Sequence, residues 1–505
     1  MPHRALTLGQ AAAVLLFGCG KHTTSQSFAG LVQVSAGSPF PSGCGGPAGP
    51  NGVGYLDAEV EPQLAINPAN PQNLIAVWQQ DRWSNGGSRG IVSAASFDAG
   101  HSWTRVAVPF TQCAGGTFER GSDPWVSFAP DGSAYQIALT FDESIANRGV
   151  LVARSVDGGR AWSAPITLQH DLDPDVAVDK ETVTADPQSA SLAYAVWDRM
   201  TGFTNPSSPS NRGPAWFART TDAGLTWSAP VAIFDPGADA QTVANQIAVL
   251  PDGTLLDVLM VITKNSSQTP LSHVAILRSA DKGANWSAPI DVAAAEFTGV
   301  VDPKTGKGVR SGTVVPSLAV DAASGAAYVV WEDARFSGGA RDGIAFSKSS
   351  DGGMSWSQPV QVNQAPAAQA FTPVVSVSTG KVGVSYTDLR NDDPNDKSRL
   401  LATHWLAVSA DGGKTWQETQ LVSPFDLQNA PFAGGYFLGD YQGLVHSGAA
   451  FLPLFTVVRD GDQANRTDIF FRPADAPPLA RAPVVALESV FRGARERWRF
   501  GTLFK

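Results

Sequence analysis

Apolar and polar positions alternate along this chain in short runs of strand length, and the runs come in groups. One group reads "PSLAVDAASG", then "AAYVVWEDAR", then "GIAFSKSSDGGMSW", then the outer segment "SQPVQV". Each segment has the two-residue period of a half-buried strand and is bounded by Gly, Pro, Asp or Ser. No long amphipathic helical pattern interrupts the series. The pattern predicts an all-β chain built from repeated four-stranded units.

A shared turn punctuates the units. "SFDAGHSW" ends at Trp103, and "SVDGGRAW" at Trp162. "TTDAGLTW" ends at Trp227, "SADKGANW" at Trp286, "SSDGGMSW" at Trp356 and "SADGGKTW" at Trp416. The six tryptophans are 59, 65, 59, 70 and 60 residues apart. A period of this size signals stacked units, none of which can bury its apolar face alone. Asp and Ser or Thr bond their own backbone in tight turns, and Gly takes the positive φ that such turns need. The Trp then buries a large ring beside the turn. A turn present in every unit is a building block, not a catalytic centre.

Four-stranded units arranged radially make a β-propeller. Six turns suggest six blades. The segment 435–472 adds three further strand-like stretches without an outer strand, and "FAGLVQVSAG" near the N-terminus resembles an outer strand without a blade. Joined, they predict a seventh blade, with Leu31–Ser35 pairing beside Thr467–Phe471; a six-bladed ring is the alternative. The propeller should span 27–475, followed by a tail, 476–505, read as a solvated extension.

The first 19 residues, "MPHRALTLGQAAAVLLFGC", join a basic start to an apolar run too short to cross a membrane, as export signals do. The ending "LFGC" resembles a bacterial lipoprotein cleavage site with Cys19 as the lipidated residue; ordinary secretion is the alternative. Removing Cys19 leaves Cys44 and Cys113, an even pair in an exported chain. They fall in neighbouring loops, leading into blades 1 and 2, which favours a disulfide over two free thiols. The net charge of −10 argues against nucleic acid as a partner. The expected molecule is a monomer in the cell envelope or outside it, touching a membrane only through a lipid anchor.

Aligning the inner strands gives one residue per blade at the strand opening: Glu61, Asp123, Lys180, Ala244, Val315, Thr372 and Asp440. The charged members cluster on blades 7, 1, 2 and 3, which are adjacent in the ring, with Asp179, Glu181 and Tyr441 one residue away. Carboxylates at a channel mouth can titrate apart and move protons, or hold a hard cation. They can also simply bond backbone at strand starts. In "DLDPDVAVDKE", Asp171, Asp173 and Asp175 alternate as calcium ligands do, with Asp179 following; a structural Ca2+ is the candidate occupant, and no cofactor is required.

The six turns are Asp-boxes, and with "WEDARFSGGARD" they make the chain resemble the sialidase superfamily over nearly all of its mature length. More narrowly, "GYFLGDYQGL" and "SYTDLR" resemble segments of secreted sialidase-like proteins. The resemblance implies glycan substrates and glycoside hydrolysis by an Asp acid/base and a Tyr nucleophile. It also implies an arginine, opening blade 1, for the substrate carboxylate. Here the blade 1 opening is "EVEPQLAINP", with Glu61 where that cation belongs. "DARFSGGARD" resembles the loop that carries a substrate-contacting Arg and an acid/base Asp, here Arg335 and Asp342, but on blade 5 instead of blade 1. Asp-Arg pairs recur at Arg82, Arg199 and Arg390 and would ring one face with guanidinium groups.

The expected function is therefore that of an exported propeller acting on extracellular glycans. If it is an enzyme, Asp123, Asp440, Tyr441 and Asp342 are the catalytic candidates, and Glu61, Arg82, Arg199, Arg335 and Arg390 line the substrate. A noncatalytic glycan- or protein-binding propeller and a polysaccharide lyase are the alternatives. Sialoside cleavage should be weak, and Asp440→Asn should stop any proton transfer while leaving the fold intact.

Overall fold

The computed structural model describes residues 26–49, 52–202, 211–264, 269–477 and 479. Cys19, its export segment and the tail beyond 479 lie outside the described residues. Among those described, no helix is long and apolar enough to cross a membrane.

The strands pair into seven four-stranded antiparallel units. Their inner strands are Glu59–Ile66, Arg120–Phe128, Val176–Ala185, Ala240–Val249, Ser317–Val320, Ala370–Ser378 and Gly443–Ser447. Each inner strand touches that of the next unit, and the last touches the first, so the ring closes. The chain is an all-β propeller, and its units are numbered here as blades 1 to 7. In blade 7 the outermost strand is Val32–Gln33, with Val32 opposite Phe471 and Gln33 opposite Phe470. Val34 N donates to Ile469 O at 2.8 Å, and Phe28 stacks on Phe470 at 4.7 Å. The two ends of the described chain are thus clasped in one sheet.

Blades pack face to face, so their middle strands are buried on both sides. Trp78, Trp197 and Trp331 hold corresponding places in the second strands of blades 1, 3 and 5 and are fully buried. The Asp-boxes rivet neighbours together. In the first, Ser96 Oγ donates to Asp98 and accepts from Gly100 N, while Asp98 accepts from Ser102 N at 2.9 Å. The Trp rings then pack on the preceding blade: Trp103 on Phe471, Trp227 on Tyr135, Trp286 on Phe217 and Trp416 on Phe346. In these four boxes the glycine that follows the Asp by two lies directly over the same residue. A Cβ on Gly413 would overlap the Phe346 ring, and one on Gly283 would overlap Phe217. The residue type repeats because nothing larger fits between blades.

Cys44 and Cys113 are bonded, with Cα atoms 5.4 Å apart. The bond ties the segment before blade 1 to the loop after it. Across the ring, Val309–Arg310 pairs in parallel with Tyr436–Phe437, which brings the loop between blades 4 and 5 against the approach to blade 7.

Gly413→Ala should destabilise the protein by about 2–4 kcal/mol, from overpacking plus left-handed strain at φ 93°. Gly412→Ala isolates the backbone part, since its added carbon meets only the flexible Lys348 Nζ at 3.1 Å. Urea unfolding of the two variants should therefore separate them, with Gly413→Ala the weaker.

Candidate functional site

Five of the seven aligned inner-strand openings carry left-handed backbone: Glu61 (φ 55°), Asp123 (50°), Lys180 (51°), Ala244 (62°) and Thr372 (51°). Each sits at a bulge where the strand slips register against its neighbour. A non-glycine residue pays strain in this region, most of all β-branched Thr372. Bulges re-aim side chains. Here they gather Glu61, Asp123 and Lys180 from three blades into one axial cluster, which Asp440 of blade 7 joins.

Lys180 is its centre. Its Nζ donates to Asp123 Oδ2 at 2.7 Å and to Asp440 Oδ2 at 2.8 Å. Asp179 Oδ1 is 3.7 Å from it and Glu61 Oε1 3.9 Å. Asp440 is also gripped from the other side by Arg310, whose Nε and second guanidinium nitrogen lie 3.0 and 2.6 Å from its two oxygens. Arg310 comes from the loop held by the parallel pairing with Tyr436–Phe437, and its guanidinium lies 4.5 Å over the Phe437 ring. Gln79 donates to Glu61, and Ser122 Oγ to Asp123 at 2.7 Å.

The carboxyls divide by environment. Asp123 and Asp440 are held well below the usual range: burial alone would raise them, but Lys180, and for Asp440 also Arg310, overcomes it. Glu61 goes the other way, raised by burial and by the charge of Asp123. Asp179 is pushed up to about 7, chiefly by desolvation, then by the charge of Asp123 and a hydrogen bond shared with it. Asp179 is also one of the more accessible members, its side chain 20 % exposed against 4 % for Asp123 and 5 % for Asp440.

The structure thus brings Glu61, Asp123, Asp179 and Asp440 together, but not in the roles expected of all of them. Asp440 is an ion-pair anchor between two cations. Tyr441 is buried, its hydroxyl donating to Pro124 O at 3.0 Å and its ring edge-on to Trp125 at 5.3 Å, and burial pushes its hydroxyl far above the ordinary range. It is not poised as a nucleophile. Asp342 lies elsewhere, accepting from Thr298 N at 2.9 Å to hold the loop before blade 5.

The expected ring of guanidinium groups does not form. Arg335 folds back on Asp333 and Arg390 on Asp388 and Glu418, because an Arg two residues after an Asp reaches it in one turn. Arg199 grips Asp171, and Arg82 is buried against Gln79. The candidate calcium ligands have protein partners of their own. Asp171 is taken by Arg199, Asp173 accepts from Asp175 N, and Asp179 belongs to the axial cluster. Among the described residues, no group of three candidate ligands could hold a metal.

Sequence reasoning placed Lys180 in the aligned column without giving it a role, although it is the only cation there. Arg310 carried no signal at all. It is a lone Arg in "KTGKGVRSGT", brought to Asp440, 130 positions away, by the two-residue pairing with Tyr436–Phe437. The position of Glu61 is also not one of bare repulsion: it is fully buried, and Lys180 and Arg310 supply positive charge nearby.

No protein-family model matches the chain, and no curated protein does. Similar solved structures include the Hadza microbial sialidase Hz136, at 18% identity and TM-score 0.47, covering 81% of this chain and 75% of that one. A Penicillium chrysogenum alpha-L-arabinanase complexed with arabinobiose matches at 12% identity and TM-score 0.46, covering 88% and 98%. Trypanosoma rangeli sialidase in complex with sialic acid matches at 13% and 0.38, covering 74% and 55%.

Asp440→Asn should destabilise the protein by about 3–5 kcal/mol, because it breaks a buried pair and leaves Lys180 and Arg310 undercompensated. The lowered pKa values of Asp123 and Asp440 contribute stability that is present above the unfolded-state value of about 4 and is lost as pH falls below it. The wild type should therefore lose stability steeply below about pH 4, and Asp440→Asn should show a shallower acid limb. Urea titrations across pH check both.

Proposed function

We propose that the protein acts on a glycan at the axial mouth of the propeller as a glycoside hydrolase, with Asp179 as proton donor and Asp123 as the ionised partner carboxylate. The observation that carries the reading is the Asp179–Asp123 pair. It joins an accessible carboxyl protonated near neutrality to a neighbour held ionised by Lys180. Two carboxyls whose titrations are pushed apart in this way can serve as a proton donor and an ionised partner. Asp440 acts as a positioning residue, fixing Lys180 between blades. Simple sialosides are poor substrates in this reading, because Lys180 and Arg310 are both already committed to Asp440.

One observation favours a binding role instead. Glu61, Asp123, Lys180 and Asp440 are all 8 % exposed or less and bond one another. A panel of sialosides, neutral glycosides and uronate polymers separates the two. Hydrolysis should appear, fall on the alkaline side of about pH 7 as Asp179 loses its proton, and drop about 100-fold or more in Asp179→Asn. That variant should remain folded, since it removes a carboxyl that is costly to ionise. Glycan binding without turnover in the wild type would establish the binder. Cleavage of uronate polymers by elimination would establish the lyase.

Export with a lipid anchor at Cys19 is part of the proposal, as is a monomeric state. The Cys44–Cys113 bond supports an oxidising compartment. The mature chain should begin at a lipidated Cys19, and intact-mass measurement after expression in a bacterial host reads this directly. An unmodified chain retaining residues 1–18 would count against it.

A further inference from the structure

Between the N-terminal segment and blade 1 lies a cavity of about 390 Å³ whose walls include Phe40, Tyr55, Asp57, Asp81, Trp83 and Arg89. None of these residues belongs to the axial cluster. The volume is that of a small-ligand site. One wall is carried by the segment from Gly37 to Gly43, which the adjacent Cys44–Cys113 bond fastens to the body of the protein. The cavity is therefore preformed.

Its chemistry is mixed in a specific way. Phe40, Tyr55 and Trp83 supply aromatic surface. Trp83 is only 8 % exposed, yet its Nε1 is buried without a protein partner among the described residues. Asp81 is fully engaged: one oxygen accepts from Asp57 N at 2.9 Å, the other from Ser38 Oγ at 2.6 Å and Arg89 at 3.4 Å. Asp57 uses Oδ1 for Ser38 N, and its other oxygen has no protein donor among the described residues. The one cation is thus paired with Asp81, while Asp57 offers an acceptor. Among the lining residues Leu56 is 52% exposed, and Tyr55 reaches the backbone of Phe432.

We propose that this cavity binds a neutral saccharide, its apolar ring face on the aromatic wall and its hydroxyls donating to the Asp57 carboxylate. Aromatic surface matches the C–H face of a pyranose, and a carboxylate acceptor matches its hydroxyl rim. An anionic sugar would meet Asp57 with no uncommitted cation to offset it. The site is independent of the axial chemistry and would serve as an additional glycan contact on the same propeller.

The test is calorimetric titration of the whole protein with maltose, cellobiose, xylobiose and lactose, with 3′-sialyllactose and choline as anionic and cationic comparators. Tryptophan emission is followed in parallel. At least one neutral disaccharide should bind saturably and perturb the emission. Tyr55→Ala and Asp57→Asn should each weaken it about tenfold or more. Leu56→Arg, at an exposed rim position, should obstruct binding without altering the melting temperature. Asp179→Asn should leave binding unchanged, so that failure of the axial reading and failure of this one are distinguishable. Absence of binding by every neutral sugar, affinity unaffected by Leu56→Arg, or preference for choline or sialyllactose would overturn the proposal.

Discussion

One ammonium group closes the molecule at its axis. Lys180, from blade 3, lies within 2.8 Å of carboxylates from blades 2 and 7 and 3.9 Å from one in blade 1. Taking these charges out of water costs several kcal/mol for each ion, and only mutual pairing offsets it. The cluster is therefore all or nothing. Each member is tolerable because the others are present, and the inner strands accept left-handed backbone at Glu61, Asp123 and Lys180 to make the pairing possible.

Two other devices bear on the same closure. Around the circumference, the Asp-box tryptophans and glycines fix the spacing of neighbouring blades by steric fit. At the seam, Val32–Gln33 completes blade 7, and stacking of Phe28 on Phe470 holds it there. The ring and glycine contacts are apolar, but the seam also carries Asp468, which accepts from Gln33, Ser35 and Arg459. The axial cluster is ionic throughout. Asp179 sits at its edge, packed with the cluster but reached by solvent.

The accessible cavity beside blade 1 has a different origin. Its aromatic and acidic walls come from the segment that follows the clasp strand and from the end of the second strand of blade 1, joined by the disulfide. The fold thus separates a charged axial centre from a mixed aromatic and polar cavity. The two differ in how their polar groups are satisfied: the axial carboxylates bond protein cations, whereas Asp57 retains an acceptor.

The repeat, the strand period and the Asp-box residues by themselves determined an all-β propeller. Those signals are local, and each blade restates them. The column of inner-strand openings was also legible, because the bulge recurs at the same place in successive repeats, and it located Glu61, Asp123, Lys180 and Asp440 together. What each of them does was decided only by the tertiary structure. Arg310 reaches Asp440 through a pairing between distant loops, Tyr441 turns into the core against Trp125, and Arg335 and Arg390 fold back on their own aspartates. Charge state and accessibility depend on neighbours contributed by other blades, and no single repeat contains the information that places them.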